Sequence, residues 1–295
     1  MKNKMMIALL LLVSATIYSQ EAAKDTSYWK SGGTVTLTFS QVGLTNWAAG
    51  GENSVSANAM ANLFLNYNKE RASWENFLGM AYGLMQQGSD ILKKTDDKFE
   101  FFSKFGYLAV NKWYYTILAG FNTQFADGYN YPNDSVPISR FLAPGYFNLS
   151  VGMDYKPSAF FNLYIAPVSG KVTIVNDETL SAAGAFGVDK GKTTRNEFGG
   201  FLKAMYTKDV MKNVNLLTKL DLFSNYLKNP QYVDVSWEVT LTMSVNKWLT
   251  ANIHTHLLYD EDIKFPEYDD MGNMVDEKSK VQFKEVLGAG VSFKF

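Results

Sequence analysis

The stretch "NIHTHLLYDED" holds both histidines of the chain, His254 and His256. Two residues apart, they share one face if the stretch is extended. A turn centred on Lys247 would set Glu238 across from His256, and a His/His/Glu cluster is what metals and proton relays use. Two residues of a single strand make a poor tetrahedral set without further ligands. The expectation is therefore no metal, no cofactor and no catalytic role for the pair.

Other charges recur with the same spacing. Glu75, Glu100, Lys104, Asp154, Glu197, Lys203, Lys219, Asp221, Glu238 and Lys284 fall on the polar or small phase of alternating segments. In "VDVSWEVTLTMSVN", Val235, Trp237, Val239, Leu241, Met243 and Val245 take one face. Asp234, Ser236, Glu238, Thr240, Thr242, Ser244 and Asn246 take the other, so a one-residue slip would exchange them all. Segment 212–227 is ambiguous because leucines occur on both phases, and its phase decides where Lys219 and Asp221 point.

Twelve such segments position these charges, near 33–41, 54–68, 72–87, 96–110, 112–126, 144–156, 158–168, 194–208, 212–227, 231–246, 248–260 and 280–295. Soluble sandwiches use strands of about 5 or 6 residues. Ten residues at about 3.3 Å each, tilted near 40°, rise about 25 Å, the apolar height of a transmembrane barrel. Short links such as "NKER", "VNKW" and "KDVMKN" alternate with long ones such as "YNYPNDSVPISRFLAPG" and the stretch 169–193. That is the pattern of tight periplasmic turns and longer external loops. Trp74, Trp113 and Trp248 follow short turns and Tyr155 precedes one, as an interfacial aromatic girdle requires. The expected fold is all-β, a transmembrane antiparallel barrel of about twelve strands spanning 33–295, with both termini in the periplasm.

Bulk properties agree. A formal net charge of −1 excludes a basic nucleic-acid binder. "MKNKMMIALLLLVSATIYSQ" carries two lysines, an apolar core and a polar end, the pattern of a signal peptide over 1–19. A short periplasmic segment, 20–32, would follow. No cysteine occurs, so disulfides and thiol chemistry are absent. The last strand ends on Phe295, with Phe293, Val291, Ala289 and Leu287 on its apolar face. A terminal phenylalanine resembles the signal read by the outer-membrane barrel assembly machinery.

"LTNWAAGGENSVSANA", "KTDDKFEF", "NKWYYTILAGFNTQFADGYNYPND", "ISRFLAPGYFNLSVGMDYKP" and "GKVTIVNDETLSAAGAFGV" together resemble an uncharacterised Bacteroidetes outer-membrane barrel family, domain of unknown function 3078. The resemblance implies a β-barrel in the outer membrane and brings no activity and no functional residues.

Burying a cation on a lipid face costs about 2–4 kcal/mol, which drives Glu197, Lys203, Lys219, Asp221, Glu238, His254 and His256 toward the lumen. Their plain reading is a hydrated or salt-bridged interior, and the sharper one is a solute path. Twelve strands enclose a lumen between that of filled eight-stranded barrels and sixteen-stranded porins. Phe77, Phe102, Leu118 and Met205 would narrow it. A narrow or plugged passive channel for small solutes or lipids is expected, with an adaptor barrel of a larger complex as the alternative. Outer-membrane lipids and the assembly machinery are the expected partners. A lipid hydrolase needs a base beside a serine at the bilayer edge. No His-x-Ser-Asn-Gly run occurs, so no enzyme is expected. "TNWAAGG" and "SGKVTIVNDETLSAAGAFGVDKGK" could plug the lumen, cap the mouth or dock a partner, or be ordinary packed loops. "YDDMGNMVDE" lacks the ordered calcium-loop pattern and reads as a solvated loop.

Overall fold

The computed structural model describes residues 27–45, 52–269, 271 and 274–295. The expected leader, the tryptophan of "TNWAAGG" and part of "YDDMGNMVDE" lie outside the described residues.

In chain order come β1 (Trp29–Val42), β2 (Ser54–Lys69), β3 (Ala72–Gln87), β4 (Lys93–Val110) and β5 (Trp113–Thr123). A small outer hairpin follows, β6 (Gly128–Tyr129) with β7 (Pro137–Ser139), then β8 (Gly145–Ser158) and β9 (Phe161–Ile174). After α1 (Glu178–Ala183) come β10 (Thr194–Met211), β11 (Val214–Asn225), β12 (Val233–Ser244) and β13 (Leu249–Tyr259). The chain ends with a second hairpin, β14 (Lys264–Tyr268) with β15 (Met274–Ser279), and β16 (Gln282–Lys294). Twelve of these strands form one closed antiparallel barrel in the order β1-β2-β3-β4-β5-β8-β9-β10-β11-β12-β13-β16, and β16 returns to β1. Each of the twelve alternating segments is one of its strands.

Closure pairs the first barrel strand with the last, from Thr34 with Lys294 to Phe39 with Ala289. At the seam Gly33 N donates to Phe295 O at 2.9 Å and Phe295 N donates to Gly33 O at 3.1 Å. A Cβ at Gly32 would come within 2.8 Å of Phe295 O, so glycine lets the two chain ends meet. β1 begins at Trp29, inside the stretch read as a periplasmic segment.

Alternation sets which side chains face inward. On β5, Thr116 and Leu118 are 2% and 3% exposed, while Tyr115 and Ile117 are 64% and 51% exposed. Leu37, Leu149, Ile165, Val168, Phe283 and Leu287 are likewise exposed on the outer face. The outside is thus apolar and the inside polar, the reverse of a soluble domain.

All short turns lie at one end, together with both described chain ends, and Asn111 and Asn213 take left-handed φ angles of 51° and 63° there. The long loops lie at the other end. The sequence places a loop from 169, but β9 runs on to Ile174. Pro167 offers no N–H to the ladder, and the register shifts between Gly199/Phe201 on the β10 side. Beyond that irregularity the inward phase of β9 changes from Tyr164 and Ala166 to Ser169, Lys171 and Thr173.

The loop after β9 builds a small core of its own. Asp177 caps α1 by accepting from Leu180 N at 2.9 Å, and Gly184 ends the helix in the left-handed region. Leu180, Val175 and Val188 then bury against Ala143 of the preceding long loop.

Candidate functional site

Three tiers of ion pairs fill the barrel interior. Nearest the turns, Lys104 Nζ lies 2.6 Å from Asp154 Oδ2 and 3.0 Å from Glu75 Oε2, and Lys156 also pairs with Glu75. These four groups are two acids and two bases, so the tier is neutral without a counterion. Asp154 is wholly buried.

The middle tier crosses the lumen. β4 and β12 stand on opposite walls of the twelve-strand cycle. Lys98 Nζ of β4 is nevertheless 2.6 Å from Glu238 Oε1 of β12. Lys98 also meets Glu100 at 2.9 Å, and Lys219 of β11 reaches across to Glu100 at 3.1 Å. A circular barrel of twelve strands about 4.8 Å apart and tilted about 40° would be about 24 Å across. Extended lysine and glutamate side chains with the ion pair between them span only about 14 Å. The cross-section is therefore flattened where β4 faces β12, and charged side chains bridge what remains.

Aromatic rings support the bridge. Phe77 and Phe102 stack with centroids 5.3 Å apart on the β3–β4 wall. Lys219 Nζ lies 4.6 Å from the Phe77 centroid and Lys203 Nζ lies 5.3 Å from that of Phe102. A ring face attracts a cation that has lost its water. Lys203 is also held by both oxygens of Asp221 at 2.9 Å. The phase of β11 left open by its leucines is thus settled, with Lys219 and Asp221 both inward.

The third tier lies toward the loops. Lys171 meets Asp234 at 2.7 Å, Asp260 at 3.5 Å and Glu197 at 3.7 Å. Arg195 donates to Glu197 at 2.8 Å and pairs with Asp262, tying the start of β10 to the loop after β13. Arg195 also donates to Gly187 O at 3.3 Å, next to the small core around α1. Lys284 meets Asp96 at 2.8 Å on another side.

The histidines sit within this network. Glu238 is the register partner of His256, as the turn centred on Lys247 requires. Its carboxylate, however, is bonded to Lys98. His256 Nε2 is 2.9 Å from Ser236 Oγ, and His254 Nδ1 is 3.0 Å from Thr240 Oγ1. The structure thus gives each histidine a hydroxyl partner and directs the acid elsewhere. The Ser236–His256 contact faces inward, away from the outer surface.

Several members of the network escape the initial set of inward charges. Asp96 and Lys98 share the phase of Glu100, Lys156 that of Asp154 and Arg195 that of Glu197, so stricter use of the two-residue period finds them. Lys171 does not follow that rule, because the strand irregularity changes its phase.

Outside, aromatic residues collect at the turn end. Trp29 lies 5.1 Å from Tyr67 and 5.7 Å from Trp74, and Trp113 stacks on Tyr155 at 4.7 Å. Trp248 is exposed at the β12–β13 turn, and Phe295 is exposed at the seam. Trp74 Nε1 donates to Ser103 Oγ at 2.8 Å, which donates to Asn76 Oδ1 at 2.8 Å, so these outward polar groups satisfy one another.

A family described as protein of unknown function (DUF3078) matches residues 39–129, from the end of β1 through β5 to β6. No curated protein matches. Among solved structures, the translocator domain of autotransporter NalP from Neisseria meningitidis is 9% identical, with a TM-score of 0.37 over 100% of this chain and 96% of that one. An outer membrane channel from Pseudomonas putida F1 is 11% identical, with a TM-score of 0.40 over 94% and 100%. An active-site mutant of outer membrane phospholipase A from Escherichia coli is 11% identical, with a TM-score of 0.35 over 93% and 94%. At such scores none of the three bears on activity.

Proposed function

We propose that the chain is an outer-membrane barrel that serves as a narrow passive channel or transporter for small solutes or lipids, closed at rest by its own ion pairs. The exposed apolar outer face supports the membrane setting, because only hydrocarbon satisfies it without a protein partner. Both termini then lie in the periplasm with the short turns, and the strand ending in Phe295 serves as the assembly signal. Glu197, Lys203, Lys219, Asp221, Glu238, His254 and His256 line the path. The observation that carries the reading is the Lys98–Glu238 pair between opposite walls. A barrel used for free diffusion would leave an aqueous path, as wider barrels do.

Planar-bilayer recording of the refolded protein tests this reading. Little or no conductance is expected at rest, with brief openings when the bridges part. Stable large openings of the unaltered protein would overturn it. An adaptor role is a second reading, favoured by the β14–β15 hairpin, whose Met274 and Val275 are exposed among the outer loops. Stoichiometric partners on purification from native membranes would favour the adaptor.

A further inference from the structure

The two ends of the barrel carry opposite charge. Among the described residues, the turn end exposes Lys30, Lys69, Arg71, Lys112, Lys208, Lys212, Lys247 and Lys294. Among the described residues, the exposed acids that stand against these at this end are Glu70 and Asp209. The cations occur at the β2–β3, β4–β5, β10–β11 and β12–β13 turns and at both chain ends, so they encircle the rim. The loop end is rich in acids instead, among them Asp177, Glu178, Asp189, Asp260, Glu261 and Asp262.

Three of the rim cations are held over rings of the aromatic belt. Lys69 Nζ is 4.8 Å from the Tyr28 centroid, Arg71 Cζ is 4.9 Å from that of Tyr107, and Lys208 Nζ is 5.1 Å from that of Phe160. A ring at the membrane–water boundary sits at headgroup depth. A cation lying on it is therefore held level with lipid phosphates while its stem covers apolar surface. Lys30, Lys212, Lys247 and Lys294 make no ion pair among the described residues, so their charge is available to a partner. Like charges brought together around a rim repel one another unless an anion lies between them.

We propose that the turn rim is a binding surface for the phosphate headgroups of anionic phospholipids in the periplasmic leaflet. Arg71, Lys69 and Lys208 grip from the aromatic belt, and Lys212 and Lys247 add charge from the turns. The proposal rests on the membrane reading but not on the closed lumen. It gives the outer surface a lipid preference confined to one end.

Tryptophan quenching by brominated lipid tests it. Trp47→Phe/Trp237→Phe leaves Trp29, Trp74, Trp113 and Trp248, all at the turn end, as reporters. In vesicles of phosphatidylcholine, brominated phosphatidylglycerol is expected to displace phosphatidylcholine preferentially. The change Lys69→Gln/Lys208→Gln/Lys212→Gln/Lys247→Gln should weaken that preference by about fivefold for each cation sharing a lipid. Lys190→Gln/Lys192→Gln at the loop end should leave it unchanged. Heat-dependent gel migration confirms folding, and the single change Lys208→Gln serves if the quadruple variant fails to refold. Equal affinity for the two lipids, or a preference surviving the rim changes, overturns the proposal. So does stronger quenching displacement by lipid A, which would assign the rim to the opposite leaflet. A chain quenched by no brominated lipid would refute the membrane barrel itself.

Discussion

Lys104 and Asp154 offer a measurement of whether the interior is dry. Their charged atoms are 2.6 Å apart, and the residues are 4% and 0% exposed. The Asp154 oxygens meet lysine at ion-pair distance without the angles of a hydrogen bond, so the coupling is Coulombic. At an effective dielectric constant near 20 the attraction is about 6 kcal/mol, set against a desolvation cost of several kcal/mol per ion. Lys104→Met leaves Asp154 with Lys156 at 3.5 Å, a weaker partner that must also serve Glu75. A loss near the low end for a broken buried pair is expected, about 3 kcal/mol. Asp154→Asn should cost about the same, since Lys104 then shares Glu75 with Lys156. The double variant removes both charges and should lose about 3 rather than about 6 kcal/mol, a coupling of about 3 kcal/mol. Urea unfolding from detergent micelles, followed by tryptophan fluorescence, measures all four corners of the cycle. Single losses under about 1 kcal/mol that simply add are the mark of a solvated pair. That outcome would show a water-filled lumen and refute the closed-channel reasoning.

Further outcomes follow from the same geometry. Lys98→Ala/Glu238→Ala removes the bridge between opposite walls and should produce measurable single-channel openings in planar bilayers, where the parent is nearly silent. Ile117→Lys, on the outer face in mid-strand, should cost about 2–4 kcal/mol of stability in vesicles, whereas Phe121→Tyr nearer the loops should be almost neutral in the same titration. Glu261 accepts from Lys264 at 2.7 Å, from Ser279 at 2.5 Å and from Tyr259 at 2.6 Å, and these bonds hold its carboxyl down at about 2. A lowered folded-state value gives stabilisation that is complete above the ordinary carboxyl range and is lost as pH falls toward 2. Protection of the β14–β15 amides, taken relative to their intrinsic exchange rate at each pH, should accordingly fall between about pH 4.5 and 2, and Glu261→Gln should lower protection at neutral pH and remove that dependence.

The strand count and nearly every inward and outward assignment follow from the two-residue period. Because side chains of a strand must alternate, "VDVSWEVTLTMSVN" alone separates Trp237 from Glu238, and the lengths of the twelve segments distinguish a tall barrel from a sandwich. The Glu238–His256 pairing also comes from counting across a tight turn. What counting does not reach is contact between strands distant in the cycle. Lys98 meets Glu238 and Lys219 meets Glu100 because closure and flattening bring opposite walls within side-chain reach, and Arg195 of β10 meets Asp262 of the loop after β13, three places along the cycle. Those distances depend on tilt and cross-section, which no local pattern encodes. The phase of Lys171 belongs with them: an irregularity beside Pro167 turns half a strand over, and only the pairing partners of β9 reveal it. Outside the irregular half of β9, local alternation decided which side a residue faces; the three-dimensional closure decided what it meets there.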